Sequence, residues 1–166
     1  MLIASKYEEI YAPEIRDFVY VSDKAYSKED ILSMELDILA TLNFDLLTVY
    51  PCVLLERYNF IANTDKRVKF YSQYILELSL LEYKMLEYPS SMKAASALLL
   101  ARKVINKNEK AWNGLLQFTT GYSELELKSC TKDLLTILDI TPKTVLKSSV
   151  AKYSTDEYEV VSSIKL

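Results

Sequence analysis

The sequence predicts an all-α fold built from two tandem helical units, and three observations carry that prediction. With only 2 Gly and 4 Pro in 166 residues, the chain has few of the residues that close the tight hairpins of a sheet. Apolar residues make up 50% of it and recur at the three- and four-residue spacing of helix faces. The third observation is an internal repeat. Leu2-Ile3-Ala4-Ser5-Lys6 matches Leu99-Leu100-Ala101-Arg102-Lys103 at an offset of 97, and Tyr26-Ser27 and Asp37-Ile38-Leu39 match Tyr122-Ser123 and Asp133-Leu134-Leu135 at an offset of 96. Leu, Ala and Lys are common in helices, so a chance match is the competing reading.

Along the chain, Ser27 with Asp30 reads as a capping box, and Ile31, Leu32, Met34, Leu36, Ile38, Leu39 and Leu42 mark a helix to about residue 42. Pro51 suits a first helical turn, and Leu54, Leu55, Tyr58 and Ile61 keep helical spacing up to the Asn63-Thr64-Asp65 break. A further helix is expected from about 65 to 82, with Val68, Tyr71, Ile75, Leu78 and Leu81 on its apolar stripe. Pro89 opens a helix to about 106 with almost no polar face, so Leu98, Leu99 and Ala101 are expected to be buried at the centre of the second unit. A short helix from about 110 to 119 ends at Gly121. Ser123 with Glu126 then repeats the capping-box pattern ahead of a helix to about 138. Thr141-Pro142 starts one more segment, and the charged, serine-rich tail after Tyr153 reads as irregular.

The second copy of the repeat has two helices, roughly 50 to 82, ahead of its matching segment, and the first copy has none. The repeat therefore predicts that about 40 residues are missing from the front of the first unit, leaving Leu2, Ile3, Ile31, Ile38 and Leu42 without the faces they pack against.

Composition narrows the function. The net charge of −3, the pI near 5.2 and the lack of any Lys/Arg run longer than two residues argue against a nucleic-acid surface and for a protein partner. No segment approaches the roughly 20 apolar residues that span a bilayer, and Met1 onward does not read as a signal peptide, which predicts an intracellular chain. Cys52 and Cys130, too few for a disulfide framework, read as small core hydrophobes. Histidine is absent, so His-based metal sites, Ser-His-Asp triads and Cys-His dyads cannot be built, and no cofactor or metal is expected. No spacing singles out a catalytic carboxylate pair, and no catalytic residue is proposed.

Two residues break their local pattern. At 100° per residue, Asp30, Ser33, Asp37 and Thr41 share one face, yet Glu35 falls among Ile31, Ile38, Leu39 and Leu42. Because a buried unpaired carboxylate costs several kcal/mol, either a cation of this chain reaches Glu35, or this face is an interface, or the residue sits at the edge of the core with its head in water. Lys6 is the matching oddity between Leu2 and Ile10, and it reads either as a snorkelling lysine or as part of an interface. The 13 tyrosines fit an interface or a core equally.

The segment from Met1 to Ile15, with Leu2-Ile3-Ala4-Ser5-Lys6-Tyr7-Glu8-Glu9-Ile10 at its head, resembles the third helix and following loop of the first cyclin box in A- and B-type mitotic cyclins. Asp17-Phe18-Val19-Tyr20-Val21, Tyr26-Ser27-Lys28, Met34-Glu35, Leu39 and Leu42-Asn43-Phe44-Asp45-Leu46 continue the likeness in order. Glu77-Leu78-Ser79-Leu80-Leu81-Glu82-Tyr83, Tyr88-Pro89-Ser90, Ala94-Ala95 and Gly121-Tyr122-Ser123 are similar to the second box, and Lys152-Tyr153-Ser154 to the C-terminal extension.

The resemblance implies a cyclin fold with the end of the first box at 1–47, the second box at 48–140 and a C-terminal extension at 141–166. It also implies a non-enzymatic subunit that binds and activates a cyclin-dependent protein kinase. Lys6 and Glu35 match the charged pair that holds the kinase, and Tyr7, Glu9, Leu39, Phe44 and Leu46 complete the expected kinase-binding set. Neither the substrate-docking helix of the first box nor an N-terminal destruction motif is seen, and Trp112 belongs to the second box. The competing function is a cyclin-fold transcription-factor module, which would call for a basic groove. The partners expected are the kinase and, through the uncovered first box, a second copy of the chain, with no nucleic acid and no membrane; the expected location is nucleus and cytoplasm.

Overall fold

The computed structural model describes residues 1–107 and 110–164, so the end of the expected C-terminal extension, residues 165 and 166, lies outside the described residues. Among the described residues there are helices, 3-10 turns and connections but no strand. The chain divides into two compact units, Met1–Thr48 and Val49–Leu166.

The first unit holds α1 (Leu2–Glu8), α2 (Ile15–Val21) and α3 (Lys28–Thr41). The expected box opens α3: the Asp30 amide donates to Ser27 Oγ at 3.1 Å and the Ser27 amide donates to Asp30 Oδ2 at 2.9 Å, satisfying two orphan donors of the first turn. Asn43 and Phe44, with φ of 50° and 57°, end it in a left-handed turn. The α2 helix has no hydrophobic periodicity to announce it. It starts on a Glu14/Asp17 box, in which the Glu14 amide donates to Asp17 Oδ2 at 2.8 Å, and Glu is outside the usual N-cap set. Among the described residues of this unit only Leu2 and Ser5 are buried. The expectation of uncovered apolar residues therefore fails at Leu2, which is buried, while Ile3 and Ile31 are half-buried and Ile38 and Leu42 are exposed.

The second unit holds α4 (Pro51–Ile61), α5 (Lys66–Ser79), a 3-10 turn at Tyr83–Glu87, α6 (Ser90–Ile105), α7 (Gly114–Thr120), α8 (Lys128–Ile140), a 3-10 turn at Thr141–Lys143 and α9 (Ser148–Lys152). Two more 3-10 turns, Asp156–Tyr158 and Val161–Ser163, occupy the tail that reads as irregular from sequence. The α6 helix is the axis of this unit and packs against α4, α5 and α8. Leu98, Leu99 and Ala101 are buried as expected, and the small side chains of Ala94, Ala95 and Ala97 let its neighbours approach closely.

Several boundaries differ from the sequence reading. The α5 helix, capped by Asp65 Oδ1 accepting from the Val68 amide at 2.7 Å, stops at Ser79, so Leu81 lies beyond the apolar stripe and is exposed. The α7 helix begins at Gly114 rather than near 110 because Asn113 caps it, accepting from the Leu116 amide at 2.9 Å. Ser123 and Glu126 make the expected box bonds, but on a turn just ahead of α8. Cys130 is buried, whereas Cys52, on the outer side of the first turn of α4, is exposed and is no core residue. A polar network ties the Tyr83–Glu87 turn to α8: Lys84 Nζ donates to Asp133 Oδ1 at 2.9 Å, and the Tyr88 hydroxyl, following that turn, donates to Oδ2 at 2.7 Å.

Candidate functional site

The two residues that break the apolar pattern meet. Lys6 Nζ donates to Glu35 Oε1 at 2.8 Å and to Oε2 at 3.0 Å, fastening α1 to α3. A cation of this chain thus reaches Glu35, whose side chain is 13% exposed, while that of Lys6 stays 51% exposed. Local geometry aims both groups. The buried Ser5 hydroxyl donates to the Leu2 carbonyl at 2.9 Å within α1, and the Ser27/Asp30 box fixes where α3 begins and hence the facing of Glu35 about two turns later.

The rest of the expected set lies on the same unit in looser arrangement. Tyr7 is exposed on the last turn of α1, and Glu9 is the exposed C-cap of that helix. Leu39 is half-buried on α3, and its carbonyl accepts from the Phe44 amide at 2.8 Å. That bond, with the left-handed backbone at Asn43 and Phe44, turns the chain back and presents the Phe44 ring to solvent at 67% exposure. Leu46 follows, half-buried. The structure therefore joins Lys6 to Glu35 and Leu39 to Phe44, and leaves Tyr7, Glu9 and Leu46 on the same unit without a hydrogen bond to the ion pair.

The internal repeat shows what in this arrangement belongs to the helical unit and what does not. Lys103 stands where Lys6 does, yet it pairs with Glu124. At the Glu35 position the second unit has Thr131, whose buried Oγ1 has no hydrogen-bond partner among the described residues. A unit of this kind therefore folds without the interhelical ion pair.

The α3 face that the repeat predicts to be uncovered, with Ile38 and Leu42, is a surface of this unit. Met34, Asp37, Ile38, Thr41 and Leu42 line a shallow apolar groove on α3. At the offset of 96, Met34, Ile38 and Leu42 correspond to Cys130, Leu134 and Leu138, all buried in the second unit under α5 and α6. The repeat offset itself was the signal. Among the described residues no cluster of three or more Cys, Asp or Glu is placed to hold a metal ion, and no helix is long and apolar enough to cross a membrane.

Residues 1–47 match the family model described as cyclin, N-terminal domain, and residues 47–166 match that of cyclin, C-terminal domain. The chain is 36% identical to a G2/mitotic-specific cyclin-B of Dictyostelium discoideum over 164 residues, which is 99% of this chain and 38% of that protein. It is 36% identical to Cyclin-A1-1 of Arabidopsis thaliana over 98% of this chain and 36% of that protein. Against Cyclin-B2-2 of Oryza sativa subsp. indica the identity is 39%, covering 95% of this chain and 38% of the relative. The chain thus spans well under half the length of these relatives. With both domain models matched in order along an all-helical chain, the protein belongs to the cyclin family.

Proposed function

We propose that this chain is a regulatory subunit that binds and activates a cyclin-dependent protein kinase in cell-cycle control, through Lys6, Tyr7, Glu9, Glu35, Leu39, Phe44 and Leu46. The observation that carries the reading is the Lys6–Glu35 pair, held at 2.8 Å in the first unit and absent from the equivalent positions of the second. A feature the helical repeat does not need points to a role outside folding. Around it the exposed Tyr7 and Phe44 supply apolar area, and a charged pair fixed in advance lowers the ordering cost of binding. The names of the relatives, A- and B-type cyclins, support the same reading.

The action proposed is non-catalytic. The subunit binds the active arrangement of the kinase better than the inactive one and so shifts its population, contributing no reacting group. The acidic balance of −3 disfavours the cyclin-fold transcription-factor alternative, and neither nucleic acid nor membrane enters as a partner. Nucleus and cytoplasm are the proposed locations, to be checked by imaging a tagged chain. A second copy of the chain is a further proposed partner, through the exposed groove of α3.

The test is the affinity of purified chain for cyclin-dependent kinases. Glu35→Ala is expected to cost about 2 kcal/mol, roughly thirtyfold in Kd, since truncating one member of a pair desolvated on binding strands its partner. Ser33→Ala, on the polar face of the same helix, should bind as wild type. Wild-type affinity in the Glu35 variant would sink the proposal.

A further inference from the structure

Residues 152–164 form a hook gripped by one face of α5. Tyr153 and Val161 are buried, and the Ser162 amide donates to the Tyr153 carbonyl at 3.1 Å, closing the hook. Tyr153 meets Tyr74 at a tilt of 51° with ring centroids 5.3 Å apart, Tyr158 meets Phe70 edge-on at 5.2 Å, and the two hook tyrosines lie 4.8 Å from each other. One ion pair fastens the hook: Lys152 Nζ lies 2.8 Å from Glu77 Oε1 on α5 and also over the Tyr153 and Tyr158 rings. Glu77, whose side chain is 31% exposed, pairs with Lys152 through Oε1, while its buried Oε2 has no hydrogen-bond partner among the described residues. Glu159 and Val160 both have positive φ, 53° and 51°, and a β-branched residue is strained there. The hook is thus anchored in the core by Tyr153 and Val161, and the Lys152–Glu77 pair and the strained backbone at Val160 are the points at which added charge can work against it.

Two residues past the fastening lysine, Ser154 is exposed and donates its hydroxyl to the Ala151 carbonyl at 2.7 Å. Asp156 and Glu157 follow at the second and third positions after it. Carboxylates so placed complement the basic cleft of an acidophilic Ser/Thr kinase.

We propose that Ser154 is a phosphorylation site for an acidophilic protein kinase, and that the phosphate releases the hook from α5. Ser154 Oγ attacks the γ-phosphorus of ATP. The Oγ–P bond forms as the bond from that phosphorus to the departing ADP oxygen breaks, and the hydroxyl proton passes to the kinase's base. The dianion then competes with Glu77 for Lys152, and it adds to Asp156, Glu157 and Glu159 in a segment facing the Glu77 carboxylate. Lys66, over the Phe70 ring, and Arg67 beside it are further cations of α5, and capture of the phosphate there would tighten the hook instead.

The test treats the full chain with an acidophilic Ser/Thr kinase and ATP, maps the phosphate by mass spectrometry, and follows chymotryptic cleavage after Tyr153 and Tyr158. Phosphate at Ser154, missing in Ser154→Ala, with cleavage about fivefold faster is the expected result, because proteolysis of an opened state tracks its population. Lys152→Gln should speed cleavage similarly without kinase. No phosphate at Ser154, or phosphate with unchanged or slower cleavage, overturns the proposal whether or not Lys152→Gln opens the hook.

Discussion

Lys6 and Glu35 place different demands on folding and on the proposed function. Their bond joins two helices, but Lys6 is half in water, and pairs of that kind contribute only about 0–1 kcal/mol to stability. Glu35→Ala, which leaves only the half-exposed Lys6 unpaired, is therefore expected to keep its unfolding free energy in urea within about 1 kcal/mol of wild type while losing kinase affinity; a large loss of stability would make the pair structural. Asp133 behaves differently. The Tyr88 hydroxyl first, and then Lys84, hold its carboxyl below the usual aspartate range. A folded-state pKa below the unfolded one adds stability above the unfolded value, near 4, and that stability fades as the pH falls through the folded value. Asp133→Asn should thus be less stable than wild type at pH 7 and should have a flatter loss of stability below about pH 5 in urea titrations. Parallel acid limbs in the two proteins would remove the network from the account. Glu35 was legible in the sequence as a carboxylate out of place, but which of three readings applied depended on where Lys6 lay in space.

Helix boundaries divide according to whether a short-range signal marks them. Ser27/Asp30, Pro51, Asp65 and Gly121 act within a few residues, and the structure has helix ends beside each. Gly121 ends α7 with φ of 76°, and a Cβ built there has nothing within 4 Å. Gly121→Ala should therefore cost about 1 kcal/mol from the backbone alone, while Gly114→Ala, with the same free space and no left-handed backbone, should be neutral or slightly stabilising. Equal melting temperatures for the two variants would refute the cap argument. The α2 helix and the early end of α5 were not legible. The first rests on a glutamate cap, and at the second the amides of Leu80 and Leu81 bond three residues back, to the Glu77 and Leu78 carbonyls, so the periodic Leu81 falls past the last α-helical turn.

For the whole molecule, the exposed Met34, Ile38 and Leu42 of α3 contrast with the buried Cys130, Leu134 and Leu138 at the matching positions of α8. Burial of apolar area is worth about 25 cal/mol per Å², so this face drives association unless something covers it. Light scattering of the purified chain over a concentration series is expected to show a mass rising with concentration, and Ile38→Glu should suppress the rise; a concentration-independent monomer would reject self-association through α3. The all-helical class, the two-unit repeat, the central α6 and the family all follow from the sequence, because glycine scarcity, helical periodicity, capping pairs and motif order are local or linear properties. Other features were decided only in the tertiary structure. Lys6 and Glu35 lie 29 residues apart and meet through the approach of two helices, the serine-rich tail becomes a hook because Tyr153 and Val161 find room in the second unit's core, and Cys52 faces water because α4 turns its other side inward. Each depends on which surfaces meet across long sequence separations, and that is fixed by packing in three dimensions rather than by any pattern along the chain.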